Sequence, residues 1–283
     1  VQVLTAPHLW NSPGNWQRNS DNMEVRAKKA LGQHFLTDQG IAMTIVDSLE
    51  AGGVRNVLEI GPGMGVLTQY LLKRDDIDLK LVELDGESVE YLLTHFPGMQ
   101  GKLYEMDYLK LDVHLLFPGE YRVIGNFPYN ISSQIFFKIL EDKDRVTEVV
   151  CMIQKEVADR IAEKPGTKTY GILSVLLQAW YDIDYIISVG SGAFCPPPKV
   201  QSAVIRLRRN ERSSLGCDEK LFKMVVKTAF NQRRKTLRNA LKPLLTDAVD
   251  TNAPVFDLRA ERLSVEDFVA LTNLISKGQN QNV

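Results

Sequence analysis

The chain has few cysteines, few histidines and no long apolar run, and each shortage closes a class of answer. Three cysteines, Cys151, Cys195 and Cys217, in 283 residues are too few and too far apart for a disulfide scaffold or a zinc cluster. Four histidines leave little from which to build a His-based metal site, so no metal is expected. No stretch reaches the about 18 uninterrupted apolar residues that a transmembrane helix needs. An excess of one charge is missing too. With 34 Lys+Arg against 35 Asp+Glu the chain is not generally cationic, although local patches remain open. The length suffices for one large domain or two smaller ones with cores of their own. These features describe a reduced, soluble, cytoplasmic globular protein, with nothing to suggest more than a monomer.

Residues 1–22 are rich in Asn, Ser, Pro, Gly and Trp, show no period and lack the charged start and apolar core of a secretory signal. They read as a disordered extension or an expression scar, with Met23 as the natural start. Beyond it, apolar runs recur at Asn56–Ile60, Lys80–Glu83, Leu103–Met106, Tyr121–Gly125, Glu148–Ile153, Ile183–Val189 and Ala203–Leu207. Helical periods separate most of them: Ile41–Leu49, Val66–Leu72, Ser88–Leu93, Ser133–Leu140 and Lys155–Glu163. This alternation predicts a parallel sheet covered by helices on both faces. The last two runs are joined by the loop Gly190–Gln201, which predicts an antiparallel end. After Arg209 the pattern turns helical over Glu219–Leu245 and Ser264–Ser276, with a capping signal at Ser264 and Asp267. The expected division is 23–209 for the sheet domain and 210–283 for a small helical domain.

The run Val57–Ile60 enters Gly61-Pro62-Gly63-Met64-Gly65 and then a helix, and glycines there let backbone turn tightly and approach a ligand. The next strand ends at Glu83, where an acid can hold two ribose hydroxyls. The third ends at Glu105-Met106-Asp107, where a carboxylate can accept from an adenine amine. Three strand ends thus offer a cradle, a ribose acid and a base acid, which suits an adenosine-containing cofactor. A dinucleotide fingerprint is spaced G-x-G-x-x-G, unlike the G-x-G-x-G here. Taken singly, the turn can be a plain strand–helix connection and Asp107 a helix cap.

The fourth strand ends in Asn126-Phe127-Pro128-Tyr129. The exocyclic amine of adenine is a poor nucleophile, because its lone pair is delocalised into the ring. An amide oxygen and a backbone carbonyl that accept its hydrogens favour a pyramidal nitrogen aimed at a methyl donor. Pro128 stiffens the loop and Tyr129 offers a face for the base. Cys195, beside three prolines, raises the cysteine chemistry of C5-pyrimidine methylation; with no base evident near it, Cys195 is read as a filler.

The chain resembles the small-subunit ribosomal RNA adenine N6,N6-dimethyltransferase family. The likeness runs from about Val25 to the C-terminal helices. It rests on Leu31-Gly32-Gln33-His34-Phe35-Leu36, the Glu59–Gly65 turn, Glu83, Asp107, Asn126–Tyr129 and Phe194-Cys195-Pro196-Pro197-Pro198-Lys199-Val200-Gln201-Ser202. It implies a Rossmann-like class I α/β fold with a C-terminal helical domain, and S-adenosylmethionine as cofactor. It also implies transfer of methyl groups to two adjacent adenosines near the 3′ end of small-subunit (16S) rRNA, with an added role in subunit biogenesis. By position, Gln33, His34 and Leu36 border the cofactor and Gly61 and Gly63 lie under its methionine part. Glu83 takes the ribose, Asp107 the adenine, and Asn126 orients the target amine. Pro128, Tyr129 and Phe194 complete the catalytic set, with Tyr129 and Phe194 on opposite faces of the target base. The family commonly has Leu where Phe127 stands, which bears on the fit of the second methylation.

Between Thr228 and Pro243 lie Arg233, Arg234, Lys235, Arg238 and Lys242 with no acid among them. On a continuous helix Arg234, Arg238 and Lys242 share one face. With Arg26, Lys28 and Lys29, and with Arg206, Arg208, Arg209 and Arg212, they form the expected phosphate-binding surface. A methylase of large-subunit rRNA, a DNA adenine methylase and an assembly factor that mainly binds the immature subunit remain as alternatives.

Overall fold

The computed structural model describes residue 25, residues 27–28 and residues 31–280; residues 1–22, Met23, Arg26 and Lys29 lie outside the described residues. The main sheet has seven strands: β2 (Asn56–Ile60), β3 (Asp78–Glu83), β4 (Leu103–Glu105), β5 (Tyr121–Asn126), β6 (Val146–Gln154), β7 (Tyr181–Val189) and β9 (Ser202–Arg209). Their order is β4-β3-β2-β5-β6-β9-β7. The first five are parallel, and β9 runs antiparallel between β6 and β7. A separate two-stranded pair, β1 (Phe35–Leu36) with β8 (Phe194–Cys195), falls outside the apolar-run reading. Two-residue strands carry no period to detect.

The continuous apolar runs have a direct cause. In β6, Val149 and Cys151 enter one core cluster while Val150 and Met152 enter the other, so both sheet faces are buried. Helices α1 (Gln39–Asp47), α2 (Thr68–Leu71), α3 (Gly86–His95), α4 (Ser132–Glu141), α5 (Lys155–Ala162) and α6 (Ile172–Gln178) connect the strands. The shared strand direction then fixes the site: β4, β3, β2 and β5 are parallel neighbours that end at one edge, and Asp107, Glu83, the Gly loop and Asn126 stand side by side there.

After β9 come α7 (Glu219–Asn231), α8 (Leu237–Ala240) and α9 (Val265–Asn280). The expected helix over 219–245 is interrupted after Asn231. Arg233 turns back to donate to the Tyr170 carbonyl at 2.6 Å, and the Leu237 amide bonds Leu258 O at 2.7 Å. Phe222, Val226, Phe230 and Phe268 share a cluster with Val149 and Tyr181 of the sheet, so the helical segment packs on the core of the strands. Among the described residues no helix is long and apolar enough to cross a membrane.

Candidate functional site

The loop after β2 turns through Gly61, Gly63 and Gly65 at φ of 65°, 56° and 80°. Gly63 is additionally crowded: a Cβ there would lie 3.0 Å from the Phe35 ring, so a larger residue is strained and requires that ring to give way. Below the loop, Glu59 is buried and accepts from Thr68 Oγ1 at 2.7 Å, while its Oε1 has no partner among the described residues. Burial pushes its pKa up to about 8, so Glu59 is largely protonated at neutral pH.

Glu83 closes the far side of the loop. Its Oε2 accepts the Gly63 amide at 3.0 Å, and its Oε1 accepts the amides of Leu84 and Asp85 at 2.8 and 2.9 Å. Burial raises its pKa, and the three backbone N–H groups work against that rise. Glu83 and the glycine loop are therefore tied together. At the adjoining strand ends Leu84 and Met106 are exposed apolar residues between Glu83 and Asp107, and an adenine ring needs such walls. Periodicity missed them because exposed apolar residues at strand ends leave no pattern. Asp107 does cap the turn that follows, accepting Leu109 N–H at 2.9 Å through Oδ1.

The Asn126–Tyr129 loop is held from both sides. Asn126 Nδ2 donates to the His34 carbonyl at 3.0 Å, which leaves Oδ1 buried and without a partner among the described residues. A buried acceptor without a donor is costly, and one at a strand end is placed to take a ligand's N–H. His34 Nδ1 contacts the Pro196 carbonyl at 3.0 Å, and its ring lies 5.2 Å from that of Tyr129. Tyr129 is half-buried and shares a hydrogen bond with Ser202 Oγ, so the Asn-Phe-Pro-Tyr loop is fastened to the end of the Phe194–Ser202 motif.

Several expected roles change. Phe194 is only 4% exposed and packs in the core with Leu36, so it offers no open face to a base. Leu36 is likewise a core residue of β1. Phe127 is fully buried edge-on to Phe136 at 5.9 Å, so the Leu-to-Phe difference is a matter of core packing. Cys195 pairs with Phe35 in the small sheet, and its thiol has no hydrogen-bond partner among the described residues.

The basic residues divide. Lys28 pairs with Asp85 and Glu87 beside the cradle and is not free for phosphate. Arg233 binds Tyr170 O and Glu261, and Arg238 binds Thr251 O and Asp257. Arg206 and Arg208 pair with Asp184, Arg209 caps carbonyls, and Arg212 pairs with Glu266. Because the helix breaks, Arg234, Arg238 and Lys242 do not share a helical face. Arg234 and Lys235 stay exposed on the turn, with no ion pair among the described residues. The Gly166–Glu261 and Arg233–Thr167 hydrogen bonds bring that turn together with the loops carrying exposed Lys168 and Arg262, which sequence proximity hides.

Among the described residues no group of His, Cys, Asp and Glu could hold a metal ion. A family description, ribosomal RNA adenine dimethylase, matches residues 24–277. The chain is 60% identical over 254 residues to the ribosomal RNA small subunit methyltransferase A of Parabacteroides distasonis, covering 89% of this chain and 95% of that one. It is 56% identical to the protein of the same name from Cytophaga hutchinsonii, covering 89% and 98%. A solved dimethyladenosine transferase from Plasmodium falciparum superposes with a TM-score of 0.73 at 25% identity, covering 87% and 98%. The 23S rRNA methyltransferase ErmE superposes at 0.65 and 22% identity, over 86% and 99%, a likeness of fold. With the family match spanning residues 24–277 and a relative 60% identical over 89% of this chain, the chain belongs to the ribosomal RNA adenine dimethylase family.

Proposed function

We propose that this chain transfers methyl groups from S-adenosylmethionine to N6 of two adjacent adenosines near the 3′ end of small-subunit rRNA, giving N6,N6-dimethyladenosine. The observation that carries the reading is the buried, unpartnered Oδ1 of Asn126 at the end of β5, with Nδ2 committed to His34. The residues present fit the cofactor: a positive-φ glycine cradle, a buried acid beside it, apolar walls at Leu84 and Met106, and Asp107 beyond them. Gly61 and Gly63 would lie under the methionine part, Glu83 would hold the ribose and Asp107 the adenine amine. When bound, S-adenosylmethionine supplies an electrophilic methyl on a sulfonium.

The chain's own work is positioning. Asn126 Oδ1 accepts an N6–H of the target and so turns the nitrogen lone pair out of the ring. Pro128 fixes the loop, and the Tyr129 face receives a base that must leave its stack to arrive. The N6 proton is released to water, and no covalent enzyme intermediate forms. Arg234, Lys235, Lys168 and Arg262 supply phosphate contacts to RNA of the small ribosomal subunit, and the protein acts as a monomer.

Labelled S-adenosylmethionine incubated with unmethylated small subunits and, in parallel, with large subunits, followed by digestion to nucleosides, tests this directly. Label in dimethyladenosine is expected. Label in 5-methylcytidine, or only in large-subunit RNA, overturns the reading.

A further inference from the structure

Glu83 and Asn126 sit on different strand ends, and a segment N-terminal to both joins them. Asp85, two residues beyond Glu83, is only 3% exposed. Its carboxylate accepts from Lys28 Nζ, from Gln33 Nε2 at 3.4 Å and from Ser88 Oγ at 3.0 Å. Lys28 also reaches Glu87 at 3.1 Å. The same residues bond each other: Gln33 Oε1 accepts the Lys28 amide at 2.8 Å, and the Lys28 carbonyl accepts the Leu31 amide at 3.0 Å. Directly after Gln33 comes His34, whose carbonyl holds Asn126 Nδ2. The Asp85 amide in turn bonds Glu83 Oε1.

An exposed ion pair contributes little, but a carboxylate as buried as Asp85 is strongly disfavoured when its cation is removed. The clasp therefore holds the segment in place. Without it the His34 carbonyl loses its fixed position, the Asn126 amide can rotate, and a donor can replace the acceptor that the target amine requires.

We propose that Asp85 is a positioning residue for methyl transfer: by clasping Lys28 and Gln33 it fixes the segment whose His34 carbonyl aims the Asn126 amide. This rests on the methyltransferase reading and gives Lys28 a task at the cofactor side.

The test uses Lys28→Met and Asp85→Asn, with Lys28→Arg as the conservative variant. Three quantities are measured on the full chain: amide hydrogen exchange at Leu31 and Gln33, affinity for S-adenosylhomocysteine, and kcat on small subunits at saturating cofactor. Both disruptive variants should exchange on the order of tenfold faster at Leu31 and Gln33, with the sheet amide of Leu81 unchanged, and lose on the order of tenfold in kcat. Lys28→Arg should restore both. Unchanged exchange, or faster exchange with unchanged kcat, overturns the proposal. Full dimethyladenosine formation by Asn126→Ala would instead remove the underlying reading and leave the exchange result standing.

Discussion

The hydroxyl of Tyr129 is hydrogen-bonded to Oγ of Ser202, a fully buried residue at the start of β9. One bond thus joins the last residue of the proline-rich motif to the last residue of the catalytic loop. Ser202→Ala leaves Tyr129 free to turn, and Tyr129→Phe removes the same bond from the other end. Each should lower kcat/KM for RNA on the order of tenfold with S-adenosylhomocysteine affinity unchanged, and the double variant should be no worse than either single one. Additive losses would show that the two residues act separately.

Asn126→Ala removes the acceptor for the target amine and leaves the cradle intact. Methyl transfer should fall about 10²–10³-fold while calorimetric binding of S-adenosylhomocysteine persists. Equal losses in both would assign Asn126 to cofactor binding alone.

Arg234 and Arg238 should separate. Arg234→Glu changes an exposed residue with no ion pair among the described residues, so RNA affinity should drop and the salt dependence flatten by about one unit of slope, with the melting temperature unchanged. Arg238→Glu breaks bonds to Thr251 O and Asp257 and places two acids together. It should cost on the order of 1 kcal/mol of stability in thermal melts.

Glu59 gives the protein a pH-dependent stability. Its folded pKa, about 8, lies above the ordinary 4.5, so the folded state holds the proton more tightly than the unfolded chain. That contribution is full below pH 4.5 and is lost progressively as pH rises to about 8. Glu59→Gln cannot ionise, so melting temperatures compared across this window should fall less steeply with pH than in the parent protein. Parallel curves would place Glu59 in a wetter setting.

Strands β2, β3, β5, β6 and β9 were legible because each sends residues into both core clusters, as the split of β6 shows. The cradle, Glu83 and Asn126 were legible because backbone turns and strand ends leave local marks. Long-range contacts left none. Nothing near Lys28 in the sequence announces Asp85, and nothing near Phe194 announces that β1 buries it. The break after Asn231 escaped the period because Tyr170 and Leu258, remote in sequence, supply the bonds that replace the helix.

The small β1–β8 sheet has a consequence for the life of the chain. His34 and Pro196, which meet beside it, are 162 residues apart in sequence. Closing so long a loop is slow compared with forming local turns. The His34 ring therefore cannot find its Pro196 partner until residues beyond Pro196 have been synthesised. Emerging from a ribosome, the nascent chain can complete its cradle well before the small sheet that flanks it.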